Sequence, residues 1–358
     1  MDQVTAREAS AAPASPGRDD AAAGPVSAPA GSAAPHLRAV LAGIGAYLPE
    51  HAVSNDELAK TVDTSDAWIR ERTGIRQRHI AAPHETCAFM ATQAARAALA
   101  DAGVAAGAVD AIILATATPD QAFPATAVRV QAALGAGGFG FDLSAACSGF
   151  IYGLSVADAM IRAGQVRNVL VIGAEVYSRI MNWQDRGTCV LFGDGAGAVL
   201  LRAEAGGAGG ASARGILSTH LHAQGDLADI LYVDGAVGQP DKPGHLVMNG
   251  REVFRHAVTR LAEAVGEALV ANGLTGADVD WLVPHQANMR IIEAVGRRIG
   301  LPAEKVVVTV DQHANTSAAS IPLALAAAYA DGRIRPGQLI LMEALGGGLT
   351  WGSALIRL

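Results

Sequence analysis

One thiol, one imidazole and one carboxamide sit where the sequence around them points to chemistry. Cys147 lies in Phe141-Asp142-Leu143-Ser144-Ala145-Ala146-Cys147-Ser148-Gly149-Phe150, where a β-compatible apolar run passes through small residues into a helical pattern from Phe150 to Ile161. A thiol at a strand-to-helix junction meets backbone N–H groups that lack intrahelical partners and carry partial positive charge. Its pKa is therefore expected to fall, which makes the thiolate available as a nucleophile. Ala145, Ala146, Ser148 and Gly149 leave room for a thin ligand to reach the sulfur. His285 sits in Pro284-His285-Gln286-Ala287-Asn288, just past an apolar strand pattern, and Asn315 sits in Gln312-His313-Ala314-Asn315-Thr316-Ser317, ahead of the last long helix. Singly, a free Cys is more often a small core residue, a His after a strand a structural one, and an Asn before a helix an N-cap. Together, at matched places in the chain near strand carboxyl ends where open α/β sheets gather ligands, they make these single readings much less favoured. Papain-like proteases also run Cys, His, Asn, but their C-G-[SA]-C-[WY] signature is missing here.

The elements that must position these residues follow from pattern. Residues 1 to about 36 are rich in Ala, Pro, Gly and Ser without periodicity and are expected to be a disordered tail. A strand over 38–44 should come first, then a helix capped by Ser54 with Glu57 three residues on, then a helix opening at Thr64-Ser65-Asp66. Trp68 and Arg72 lie four apart on that second helix and share a face. An Ala-rich helix over about 86–102, a buried strand at 111–115, a helix over about 125–134 and a strand at 168–172 give the alternation of an α/β layered fold. Phe192-Gly193-Asp194-Gly195-Ala196-Gly197-Ala198 fails as a dinucleotide loop. Val199-Leu200-Leu201 continues as strand and Ala198 stands where the third glycine belongs, so the glycines are read as marking close backbone approach.

The second half echoes the first. Asp280-Trp281-Leu282-Val283 matches Asp110-Ala111-Ile112-Ile113, and Gly352-Ser353-Ala354-Leu355-Ile356 matches Gly197-Ala198-Val199-Leu200-Leu201. Cys147 lies 17 residues before Gly164 and Asn315 lies 17 before Gly332, each glycine preceding a strand. This predicts an internal duplication in which Cys147 and Asn315 occupy the same helix start and face one pocket.

Composition narrows the class. With 358 residues, 51% hydrophobic and 17% charged, the chain can bury a large core in two domains or one duplicated fold. A net charge of −7 argues against broad nucleic-acid binding while allowing a local basic patch to dock an acidic partner. The three cysteines show neither CxxC nor Cys/His spacing, so no disulfide framework or metal site is expected and a reducing cytoplasm fits. No signal-peptide pattern and no uninterrupted run of about 18 apolar residues is seen, which predicts a soluble protein without membrane association.

Four motifs, taken together, resemble the β-ketoacyl-acyl carrier protein synthase III family. They are Ala145-Ala146-Cys147-Ser148-Gly149-Phe150, Val283-Pro284-His285-Gln286-Ala287-Asn288, Asn315-Thr316-Ser317-Ala318-Ala319-Ser320 and Gly346-Gly347-Gly348-Leu349-Thr350-Trp351-Gly352-Ser353-Ala354, and the likeness covers about 38–358. The resemblance implies an α/β thiolase-like fold of two duplicated halves in five αβαβα layers, at 37–210 with Cys147 and at 211–358 with His285 and Asn315. It implies a homodimer and a two-stage reaction that starts type II fatty-acid synthesis. Cys147 would take an acyl group, most simply acetyl, from acyl-CoA. Malonyl-acyl carrier protein would then lose CO₂, and its enolate would attack the acyl-Cys147 carbonyl. Cys147 and Gly347 would supply the oxyanion-hole N–H groups, and His285 and Asn315 the donors to the malonyl thioester oxygen.

By the same resemblance Trp68, Arg72 and Arg186 contact the CoA adenine, Asn249 and Asn288 the pantetheine arm, and Phe123 closes the acyl pocket across the dimer interface. Arg255, Arg290, Arg297 and Arg298 match positions that dock the acidic carrier protein. No metal or bound cofactor is required, acyl-CoA being a substrate. Other readings stay open at this point: a synthase using another primer in a polyketide, quinolone or other secondary pathway, and a non-catalytic carrier-protein-binding module. A thiolase is disfavoured because Glu343-Ala344-Leu345 lacks a second Cys, and an elongating synthase because it pairs two His. Ala314 stands where the family commonly has Gly and is expected to tilt Asn315 or narrow the pocket. Ser148 is expected to matter little.

Overall fold

The computed structural model describes residues 36–206, 213–235, 239 and 241–358. The expected tail, except His36, and the expected boundary between halves at 210 and 211 lie outside the described residues. A first sheet runs in the order β1 (Leu37–Tyr47), β7 (Asp194–Ala205), β6 (Asn168–Val176), β4 (Ala111–Ala115), β5 (Phe139–Leu143). Strand β4 pairs in parallel with β5 and β6, and β7 is antiparallel to both β6 and β1. A second sheet runs β11 (Trp281–Pro284), β12 (Leu339–Gly346), β13 (Thr350–Arg357), β8 (Gly215–Ala223). Read from its other end, the second sheet has the strand directions of the first, and a parallel bridge between Leu282 and Val306 stands in the place of β5.

The aspartates that announced the repeat do the same work in each half. Asp110 Oδ2 accepts from the N–H groups of Arg167 and Asn168 at 2.7 and 2.9 Å, and Asp280 Oδ2 accepts from Leu339 N–H at 2.7 Å. Each carboxylate thus ties the start of one parallel strand to the start of its neighbour. Alternation then sends Ile113, Val171 and Val199 to one face and Ile112, Leu170 and Leu200 to the other. The inner face packs on α5 (Gly149–Arg162) and α9 (Ser320–Ala330), whose other sides meet Val283, Ile340 and Ile356 of the second sheet. The outer faces are covered by α3 (Cys87–Ala102) and α4 (Thr126–Leu134) on the first sheet and α6 (Gly250–Ala271) on the second. The fold is therefore the expected five-layered α/β arrangement, with both central helices sandwiched between sheets.

Capping follows the sequence. Ser54, Ser65 and Thr86 accept from the N–H groups of Glu57, Trp68 and Phe89 and open α1 (Asn55–Leu58), α2 (Asp66–Thr73) and α3. The glycine-rich stretch at 193–197 runs into strand β7 as expected, and a Cβ on Gly197 would stand 2.7 Å from Pro322 Cβ on α9. One expectation needs correction. Helix α5 follows a turn at Ala146–Ser148 and α9 follows a turn at Ser317–Ala319, so counting from the helix starts pairs Cys147 with Ala318 and leaves Asn315 three residues upstream. Helix α9 has 11 residues against 14 in α5, so counting back from the glycines beyond the helices introduced the shift. Among the described residues no helix is long and apolar enough to cross a membrane.

The two layers touch most closely at Gly173 of β6, where a Cβ would stand 2.1 Å from the Ala318 carbonyl oxygen. Gly173→Ala must push away the turn that precedes α9 and is expected to cost about 1–3 kcal/mol. A thermal midpoint unchanged from wild type would show that the layers are not in contact there.

Candidate active site

A cavity of about 850 Å³ opens between the two halves and is lined by Cys147, His285 and Asn315 together. All three are buried. The small residues around Cys147 make this possible, because β12 ends directly against the thiol's turn. A Cβ on Gly346 would lie 2.6 Å from Cys147 N, and Gly347 beyond it lines the cavity. Ser148 is less inert than its sequence position suggested. Its hydroxyl donates to Ala145 O at 2.7 Å and lies 2.8 Å from Thr350 Oγ1, joining the Cys147 turn to the loop after Gly347.

The expected lowering of the Cys147 pKa is not found. Burial pushes the thiol up to about 12, and nearby hydrogen-bonding groups only partly oppose that. Desolvation outweighs the helix-start effect because Cys147 lies in the turn before α5, under a cover of apolar side chains. The Cys147 side chain therefore rests as a thiol. Burial also holds His285 down to about 3, so its ring is neutral. Its backbone N–H donates to Glu343 O at 2.8 Å, and its Nδ1 lies 2.6 Å from Ser320 Oγ.

Asn315 is fixed from both sides. Its N–H donates to Leu191 O at 2.9 Å, and its carbonyl accepts from Gly193 N–H at 3.0 Å. Its side-chain Oδ1 accepts from Ser317 N–H at 2.8 Å, which leaves the Nδ2 group as the donor facing outward. Ala314 adopts φ 57°, a conformation favouring glycine. Its methyl packs with Ile69, Ile292 and Val310 and does not line the cavity, so the expected narrowing of the pocket does not occur, and Asn315 keeps its backbone pairing.

Trp68, Arg72, Asn288 and Arg290 line the cavity. The guanidiniums of Arg72 and Arg186 lie 4.6 and 5.2 Å from the Trp68 ring centre, and Arg186 is held by Asp63 O at 2.9 Å. Arg186 and Asn249 are not themselves in the wall, though their neighbours Gly187 and Gly250 are. The Asn249 side chain caps α6 and that of Asn288 caps α7 (Met289–Arg298). Arg255 pairs with Glu252 and Arg297 with Glu293, away from the wall, as is Arg298. Phe123 is 84% exposed and does not reach the cavity of its own chain.

Sequence reasoning missed Tyr177, Glu175 and Ser320. Tyr177 lines the cavity stacked on Phe192, with its hydroxyl facing the Cys147 thiol. Glu175 accepts from Thr118 Oγ1 at 2.6 Å and from Thr116 Oγ1 at 3.2 Å, yet burial pushes it up to about 7. Ser320 closes the Asn315-Thr316-Ser317-Ala318-Ala319-Ser320 motif and is the polar residue at the head of an apolar helix, a signal that was present.

Two family models match, 3-oxoacyl-[acyl-carrier-protein] synthase III over residues 141–225 and its C-terminal counterpart over residues 269–358. The chain is 72% identical over 321 residues to the β-ketoacyl-[acyl-carrier-protein] synthase III of Acidiphilium cryptum, covering 89% of this chain and 99% of that one. It is 68% identical over 322 residues to the enzyme of the same name from Granulibacter bethesdensis, covering 90% and 99%. The crystal structure of 3-oxoacyl-[acyl-carrier-protein] synthase III from Aquifex aeolicus is similar with a TM-score of 0.83 at 47% identity, over 89% of this chain and all of that one.

Two measurements check the electrostatics. Alkylation of Cys147 by iodoacetamide, followed by mass spectrometry, should be slow near neutral pH and still rising at pH 9. A rate already level at pH 7 would mean a lowered pKa. Glu175 and Glu343 keep their protons in the folded chain up to about 7 and about 8 against 4.5 ordinarily, so their contribution to stability is lost as pH rises through that range. His285 and His313, depressed to about 3 and about 4 from 6.5, cost stability as pH falls below 6.5. The two effects oppose each other from about pH 4.5 to 6.5, so the thermal midpoint should be highest there and fall on either side. Glu343→Gln, which removes a carboxyl whose Oε2 has no partner, should flatten the alkaline fall; an unchanged slope contradicts the assignment.

Proposed function

The chain belongs to the 3-oxoacyl-[acyl-carrier-protein] synthase III family of condensing acyltransferases, and from that premise we propose how its own residues divide the reaction. Cys147 attacks the acyl-CoA thioester. Its S–C bond forms, the CoA sulfur leaves, and the thiol proton goes to CoA. N–H groups of Cys147 and Gly347 stabilise the oxyanion. Malonyl-acyl carrier protein then binds, and the electron pair of its breaking C–CO₂ bond moves onto the thioester oxygen as an enolate. His285 and Asn315 donate hydrogen bonds to that oxygen. The enolate carbon attacks the acyl-Cys147 carbonyl, the new C–C bond displaces the Cys147 sulfur as thiolate, and the sulfur takes up one proton from solvent, the proton the overall reaction consumes.

The observation that carries this reading is the donor state of the pair. Decarboxylation needs an electron sink and no base, and a neutral imidazole with a carboxamide whose oxygen is already engaged at 2.8 Å fits that demand. Acetyl or another short acyl group is the proposed primer. Trp68, Arg72 and Arg186 are proposed to hold the adenine by stacking and charge, and Asn249 and Asn288 to border the pantetheine arm. Arg255, Arg290, Arg297 and Arg298 are proposed to meet the acidic carrier protein. No metal or resident cofactor enters the proposed steps.

A homodimer is also proposed. Phe123 at 84% exposure and Phe139 at 51%, the latter on the edge strand β5, offer an apolar surface beside an open sheet edge, which supports cover by a second copy with Phe123 reaching that copy's pocket. Three free, buried thiols agree with the proposed cytoplasmic setting.

Intact-mass spectrometry after mixing with acetyl-CoA should show one acetyl adduct, absent in Cys147→Ala. His285→Ala should keep the adduct while losing about a hundredfold or more in CO₂ release from malonyl-acyl carrier protein. No adduct, or one that survives Cys147→Ala, would overturn the assignment, and a series of acyl-CoA lengths ranks acetyl against other primers.

A further inference from the structure

We infer that Ser320 is a positioning residue that fixes which ring nitrogen of His285 carries the proton, an inference that rests on the donor role given to His285 above. Ser320 is the first residue of α9 and is 1% exposed. Its hydroxyl caps nothing in its own helix. Two groups reach the Ser320 oxygen: His285 Nδ1 at 2.6 Å and the Gln286 backbone N–H at 3.4 Å. The second of these is held rigidly. The Gln286 side chain donates to Pro284 O at 2.9 Å and Val307 O at 3.0 Å, and accepts from the N–H groups of Thr309 at 2.8 Å and Val310 at 3.0 Å.

This arrangement distinguishes the two tautomers. If Nδ1 carried the proton, the Ser320 oxygen would receive two N–H donors while its own hydroxyl proton, buried, would have no acceptor among the described residues. If Nε2 carries it, the Gln286 N–H donates to the oxygen, the hydroxyl donates to the Nδ1 lone pair, and every group is satisfied. One unmade buried hydrogen bond biases the ratio by about tenfold or more. His285 Nε2 has no hydrogen-bond partner among the described residues, so the favoured tautomer leaves an N–H free for the thioester oxygen. The other tautomer would present a lone pair to a developing negative charge.

The test uses the full chain, with Ser320→Ala and Ser320→Thr, and three readouts: acetyl transfer to Cys147 by mass, CO₂ release from malonyl-acyl carrier protein, and the ¹⁵N signals of the His285 ring. In Ser320→Ala, acetyl transfer should stay within about twofold of wild type. CO₂ release should fall about ten- to a hundredfold, and the ring should shift from Nε2–H to a mixture. Ser320→Thr, which keeps the hydroxyl, should restore both. The inference is overturned if Ser320→Ala keeps the Nε2–H tautomer, or if both half-reactions fall together as a merely structural defect would make them. Wild type lacking Cys147 acetylation would instead defeat the functional reading, while the tautomer signals would still decide the role of Ser320.

Discussion

Burial of Cys147, His285 and Asn315 between the two sheets is the constraint on which the rest depends. Burial takes Cys147 up to about 12 and His285 down to about 3, so both side chains rest uncharged. At a buried site a neutral N–H donor acts more strongly on developing charge than it would in water. The five layers serve this end. Helices α5 and α9 lie between two sheets, so the turns that open them, and the residues those turns carry, are walled by strands on either side.

That placement requires unusual backbone. Ala146, Ala314 and Ser317 are the non-glycine residues with positive φ among the described residues, at 45°, 57° and 49°. The first immediately precedes Cys147, and the other two flank Asn315. Such conformations cost about 1–3 kcal/mol each and persist only where surrounding packing holds them. Here the close approaches of Gly173 to Ala318 and Gly346 to Cys147 supply that packing. The strain is thus concentrated beside Cys147 and Asn315.

Much of this was legible in the sequence because it depends on local pattern. The run at 111–115 reads as a buried strand because apolar residues on both faces need cover on both sides, and β4 has it. Asp110 and Asp280 announced the repeat because the same capping problem recurs at the same place. The thiol's strand-to-helix junction was equally visible. What failed were sums over distant groups. The direction of the Cys147 shift depends on how much apolar material covers it, and the Ala314 methyl depends on a cluster drawn from Ile69, Ile292 and Val310. The pairing of Ser320 with His285 spans 35 residues and two elements, and no spacing rule reports it. The three-residue offset of Asn315 arose because helix lengths differ between the halves and a count cannot show from which end to start.

The donor role of the imidazole depends most directly on His285 being uncharged at working pH. Its ring signals, in ¹³C/¹⁵N-histidine protein and assigned by their loss in His285→Gln, should stay at neutral-imidazole positions from about pH 8 down to about pH 5. A titration with a midpoint near 6.5 would mean that water or an anion reaches the ring, and the buried neutral donor described above would not exist.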